Sequence, residues 1–116
     1  MLNGRYENHG TVSWHKDDVI HREDGPAIEW ADGGKQWAVN GVTHRLDGPA
    51  WERADGIKQW HVNGKLHRLD GPAIEGYDGY NKWYVEDQEV DIIAIFGYEP
   101  SVPLTDEQQM VLRLSV

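Results

Sequence analysis

The chain has no cysteine, which excludes a disulfide framework and thiolate metal sites and suits a reducing compartment. It is short of basic residues, with 11 Lys and Arg against 20 Asp and Glu and a formal net charge of −9. That balance argues against nucleic acid and anionic membranes as partners. Long apolar runs are missing too. The longest, Ile92-Ile93-Ala94-Ile95-Phe96, is far too short to span a bilayer. Met1–Asn8 is polar and lacks the apolar core of a signal peptide, so a cytoplasmic location is expected. Only 39% of residues are hydrophobic, but six Trp and five Tyr are among them, and a few large aromatics can bury the area of many aliphatics. Within a repeat copy, no stretch between glycines is long enough for a stable helix.

What the chain does have is a period. His21-Arg22-Glu23-Asp24-Gly25-Pro26-Ala27 returns as His44-Arg45-Leu46-Asp47-Gly48-Pro49-Ala50 and again as His67-Arg68-Leu69-Asp70-Gly71-Pro72-Ala73. The offset is 23 residues both times (44 − 21 and 67 − 44). Trp14, Trp37, Trp60 and Trp83 keep the same spacing, as do Gly10, Gly33, Gly56 and Gly79. A fixed period in this range marks a repeat architecture.

Each copy reads as a β-hairpin with a return loop. Asp32-Gly33 and Asn40-Gly41 are tight-turn signals, and Asp47-Gly48-Pro49 is a third reversal. The segments between them, such as Gln36-Trp37-Ala38-Val39, are short and rich in aromatic and β-branched residues. The prediction is a mainly β protein: an antiparallel β-hairpin repeat meander forming a single twisted sheet of about six strands, with a short α-helical C-terminal cap. Residues 1–90 hold the repeats, about three copies plus a partial N-terminal one, and residues 91–116 form the capping segment. Alternation puts Trp37 with Val39, Trp60 with Val62 and Trp83 with Val85 on one strand face. With Trp14 they are the predicted core, and Trp60, with neighbours on both sides, is its expected centre. Ile28, Trp51 and Ile74 stay unassigned to a face.

In the motif loops, Asp24-Gly25-Pro26, Asp47-Gly48-Pro49 and Asp70-Gly71-Pro72 are the expected turns, with Asp accepting backbone N–H bonds and Pro fixing φ. Each motif Arg is expected to sit between carboxylates of the copies above and below. At the ends, Asp17-Asp18 and Glu86-Asp87 replace the Asn-Gly turn of the middle copies, as terminal repeats of a stack should differ. Past Val90, Asp91–Gly97 favours a short helix closed by Gly97. Thr105-Asp106-Glu107-Gln108 has capping-box form, ahead of an apolar stripe of Met110, Val111 and Leu114 that is expected to pack on the sheet.

The 23-residue hairpin unit with its Asp/Asn-Gly turns resembles the MORN repeat class and its bacterial relatives. The His-Arg-x-Asp-Gly-Pro-Ala form, followed by Trp and Asn-Gly, looks like repeats of small tailed-phage proteins. The likeness covers residues 10–90, with Gly-Pro-Ala standing where MORN repeats carry Gly-x-Gly. It implies a hairpin stack used for protein contacts or self-association, and no shared chemistry. In a phage-encoded protein, the expected compartment is the host cytoplasm.

Four sets of residues could carry function. His21, His44 and His67 each stand three before an Asp. Acid–base dyads and metal sites use those residue types, but a catalytic pair is needed once, not at every period. The alternative is a His packed at a strand end and bonded to backbone. Arg22, Arg45 and Arg68 could line up on phosphate, yet each has an acid nearby, which favours internal pairing. Exposed Trp at regular spacing binds sugars or bases. A chain so poor in aliphatics needs them as core. The fourth set is acidic. Glu86, Asp87, Glu89, Asp91, Glu99, Asp106 and Glu107 carry −7 of the −9, with no Lys or Arg between Trp83 and Leu112. They are either a solvated end cap or a docking surface.

The function expected from these readings is a non-enzymatic acidic interaction module that binds and modulates or inhibits a basic host protein, such as a nucleic-acid-binding defence factor, through those seven acids. No catalytic residue, cofactor or metal is expected, nor direct contact with nucleic acid or membrane. A homodimer, a self-associating structural repeat protein, and a small metal-dependent hydrolase on the His/Asp positions stand as alternatives.

Overall fold

The strands are short because each copy turns three times in 23 residues. The computed structural model describes residues 1–116 and contains fourteen strands, a short 3-10 helix at Tyr77–Gly79 and two α-helices. In chain order the strands are β1 Gly4–Asn8, β2 Thr11–Lys16, β3 Val19–Ile20, β4 Ile28–Glu29, β5 Lys35–Gln36, β6 Ala38–Val39 and β7 Val42–Thr43. They continue as β8 Trp51–Glu52, β9 Lys58–Gln59, β10 His61–Val62, β11 Lys65–Leu66, β12 Ile74–Glu75, β13 Asn81–Val85 and β14 Gln88–Val90. Helices α1, Ile92–Phe96, and α2, Asp106–Leu114, follow.

All pairing is antiparallel. One ten-stranded sheet runs β1-β2-β4-β5-β8-β9-β12-β13-β14, with β3 beside β2. Two small ribbons, β6–β7 and β10–β11, branch from it. The sequence predicted about six strands in one sheet. Trp37 shows why the count is higher. Its N–H donates to Ala50 (2.7 Å) and its carbonyl accepts from His44 (3.1 Å). The strand therefore leaves the main sheet at the Trp and pairs with its own hairpin partner beyond it. The molecule measures 50 × 28 × 19 Å, long in one direction, as strands stacked about 4.8 Å apart require.

The register settles the faces. Ser13, Ile28, Gln36, Trp51, Gln59, Ile74 and Lys82 stand opposite one another in turn across the sheet. Ile28, Trp51 and Ile74 thus share the face of Gln36 and Gln59, away from Trp37 and Trp60. The next row, Glu29, Lys35, Glu52, Lys58 and Glu75, alternates in sign, so every facing pair is of opposite charge.

The core is not a uniform ladder. Trp83 and Val85 are buried with Ile92, Leu104 and Leu112, backed by Leu69, Val90, Ile95 and Phe96. Trp14, Trp37, Trp60, Val39 and Val62 are only half-buried. The enclosed apolar cluster lies at the C-terminal end, where the helices cover the sheet, and not at Trp60. In the repeats themselves the fully enclosed residues are small, Ala27, Ala50 and Ala73, each 0% exposed.

The hairpin turns share one conformation. Asn40 and Gly41 have φ of 51° and 80°, and Asn63 and Gly64 have 52° and 80°, the paired positive φ values of a type I′ turn. Glu86 and Asp87 adopt 50° and 67° without the residues that suit it. Glu86→Asn is therefore expected to stabilise the protein by about 0.5 kcal/mol, since Asn tolerates this region better than Glu. The exposed Glu86–Lys65 pair (3.7 Å) that it removes is worth little. A higher chemical-denaturation midpoint checks it. A lower one means that the ion pair outweighs the backbone term.

Candidate interaction site

The motif loops hold most of the residues whose chemistry the sequence brings forward. Each motif Arg lies flat on the Trp eight positions earlier: Arg22 on Trp14, Arg45 on Trp37 and Arg68 on Trp60, at 3.8, 3.9 and 3.8 Å from the ring centres. Its Nε donates to the Asp two positions on (Asp24, Asp47, Asp70; 2.9, 2.8 and 2.9 Å). Its Nη1 donates to the carbonyl of Pro26, Pro49 or Pro72. The strand acids Glu29, Glu52 and Glu75 complete the set at 4.0, 4.0 and 3.2 Å. Gly25, Gly48 and Gly71 close the other side. A Cβ there would meet the guanidinium carbon at 2.8, 2.9 and 2.6 Å. The motif is thus a clamp in which a planar cation is held between an indole and a glycine.

This differs from the expected ladder in one respect. Each Arg takes its carboxylates from its own loop and the strand that follows. Copies are linked instead through backbone and histidine. The Arg22 and Arg45 N–H groups donate to Ala38 and His61 in the next copy, and Arg68 N–H to Tyr84. His21 Nδ1 accepts from Asn40 N–H (2.8 Å), His44 Nδ1 from Asn63 N–H (3.0 Å) and His67 Nδ1 from Glu86 N–H (3.1 Å). The repeated His and Asp therefore point to different partners, the His to the next turn and the Asp to its Arg. No group of three or more His, Asp or Glu side chains converges to hold a metal ion.

Two titrations follow from these surroundings. The guanidiniums of Arg22 and Arg45, by hydrogen bond and charge, hold the Asp24 and Asp47 carboxyls below their ordinary range. Burial lowers His61, with the charge of Asp87 opposing. Hollows of about 480 and 630 Å³ lie between successive motif loops, floored by Trp37 and Trp60. With its charged groups paired internally, this face has little left to offer a charged ligand.

The C-terminal end is different. Trp83 has no Arg above it, because the residue eight on is Asp91. The helices fill that place. Asp91 accepts from Ala94 N–H and caps α1, which Gly97 ends with φ of 84°. Thr105 and Gln108 form the expected capping box on α2. Helix α2, however, turns only Leu112 fully inward. Met110, Val111 and Leu114 are exposed by 59, 45 and 79%, so the stripe expected to pack faces solvent instead. Ile93, Tyr98, Val102 and Val116 of the same segment are exposed as well.

All seven acids of this end are exposed, with unequal employment. Asp87 accepts from Leu66 N–H (2.7 Å). Glu89 holds Lys82 (3.3 Å) and the Tyr84 hydroxyl (3.4 Å). Asp106 and Glu107 occupy the first turn of α2, where its dipole favours them. Glu89, Asp91 and Glu99 line one hollow of about 570 Å³ beside Trp83.

Sequence reasoning missed two features. The Arg–Trp clamp had a signal, the constant eight-residue offset within each copy. The outward turn of Met110, Val111 and Leu114 had none, because nothing in α2 marks which of its apolar residues the sheet can reach. No helix of the protein is long and apolar enough to cross a membrane. Comparison with protein-family models, curated proteins and solved structures finds no match in any of the three.

Proposed function

We propose that the chain is a non-enzymatic interaction module that docks a basic protein with its acidic C-terminal end. One observation carries this reading: α2 exposes an apolar stripe flanked by carboxylates. Glu107, Val111 and Leu114 follow at i, i+4 and i+7 along the exposed side of the helix, and such spacing gathers them on one stripe. Clustered exposed apolar residues with a charged rim are what interaction sites present. The acids draw a basic partner in, and the apolar stripe holds it. In line with the likeness to small tailed-phage repeats, the partner is a host protein whose nucleic-acid-binding surface the acidic end covers and blocks.

The test uses the basic protein that the chain retains from host lysate, with affinity measured at low and moderate salt. Glu99→Lys with Glu107→Lys is expected to weaken binding at least about tenfold, mainly through association rate. Met110→Ser with Leu114→Ser is expected to weaken it through dissociation rate. Glu23→Lys, in the first motif loop, is the control and should change little. Affinity unchanged in both C-terminal variants, or a partner held equally at either salt, would remove the reading.

A further inference from the structure

We infer that the chain forms a two-fold dimer through β1. This strand is the outer edge of the ten-stranded sheet, and all five of its residues are exposed. Its hydrogen-bonding groups alternate in direction. Trp14, opposite Arg5, sends its N–H to Ala27 and receives His21 N–H on its carbonyl. Arg5 and Trp14 are therefore a non-hydrogen-bonded pair, and the backbone of Arg5, with that of Glu7 two residues on, points out of the sheet. Unpaired edges of this kind template another strand.

The sequence of β1, Gly4-Arg5-Tyr6-Glu7-Asn8, is self-complementary. With the two-fold axis at Tyr6, an antiparallel second copy sets its Glu7 opposite Arg5 and its Arg5 opposite Glu7. Those positions carry the outward N–H and carbonyl groups, so backbone and charge pair in one register. Arg5 and Glu7 already meet at 3.0 Å within the strand, and both can turn to the opposite charge of the second copy. Tyr6 lies on the other face against His15, edge to face at 5.3 Å, and its counterpart would stand beside it.

The far edge does not offer the same. Strand β14 has three residues, carries the exposed Glu89, and passes at once into α1. The two-fold contact uses the same edge of both copies, so it closes as a dimer and does not grow into a filament. It also puts the two acidic ends at opposite extremes. One short strand buries less than a stable interface does, so the dimer is weak and concentration-dependent.

The measurement is solution mass by sedimentation equilibrium over a rising concentration series, with circular dichroism to confirm the fold. Wild type should climb from 13.3 kDa toward twice that mass. Arg5→Glu and Glu7→Arg, each alone, set like charges opposite and should raise the dissociation constant about tenfold or more. The double variant Arg5→Glu/Glu7→Arg restores opposite charges and should dimerise like wild type. An equimolar mixture of the two single variants should also dimerise. A wild-type mass that stays at the monomer value, or a dimer that ignores the single reversals, overturns the inference.

Discussion

Trp83→Ala is expected to cost about 3–5 kcal/mol, the range for removing a buried Trp, and to be the most damaging single change in the chain. Trp83 is 3% exposed and packs with Val85, Ile92, Leu104 and Leu112. Its loss leaves a cavity under both helices at once. Trp60→Ala should cost clearly less, because Trp60 is half-buried and one face of its indole meets Arg68. Denaturant midpoints of the two variants decide the order. If Trp60→Ala is the worse, the stability of the protein resides in the repeat lattice and the apolar end is secondary.

Arg45→Ala is expected to cost about 1–2 kcal/mol, mostly from loss of the cation on Trp37 and of the bond to the Pro49 carbonyl, the exposed Asp47 adding little. Two bonds go, to Asp47 at 2.8 Å and to the Pro49 carbonyl at 3.0 Å. Arg45→Lys should recover little, since an ammonium cannot lie flat between Trp37 and Gly48 while holding both acceptors. Arg53→Ala is the comparison: its exposed pair with Asp55 (2.7 Å) should be worth less than about 1 kcal/mol. Full recovery by Arg45→Lys would show that charge alone, without the planar fit, holds the loop.

The order of turns and strands could be read from the chain because it depends on local chemistry repeated in register. Asn40-Gly41 and Asn63-Gly64 need positive φ, and the sequence supplies residues that accept it. The Thr105 cap is local in the same way, its side chain accepting from Gln108 N–H three residues on. Faces and burial depend on which strand lies two away, and that is not local. Ile28 and Trp51 found their face only through Gln36 between them. Trp14, Trp37, Trp60 and Trp83 keep one spacing in the sequence, yet an Arg covers three and two helices cover the fourth. The acidic end was visible as composition. The outward direction of its apolar stripe was not, since nothing local to α2 distinguishes Leu112, which is buried, from the exposed Met110 and Leu114.

The links between copies have a consequence for how such a chain can change. Every middle copy presents the same connectors on both sides: a motif His and Arg toward the next copy, and a turn N–H toward the one before. His44–Ala50 and His67–Ala73 are identical in sequence. Removing or duplicating one 23-residue segment leaves every joint with the partner that it expects. Recombination within the coding sequence would then lengthen or shorten the protein in whole steps of about 9.6 Å, two strand spacings. Strand β1 and the acidic end would be untouched, and only the distance between them would vary.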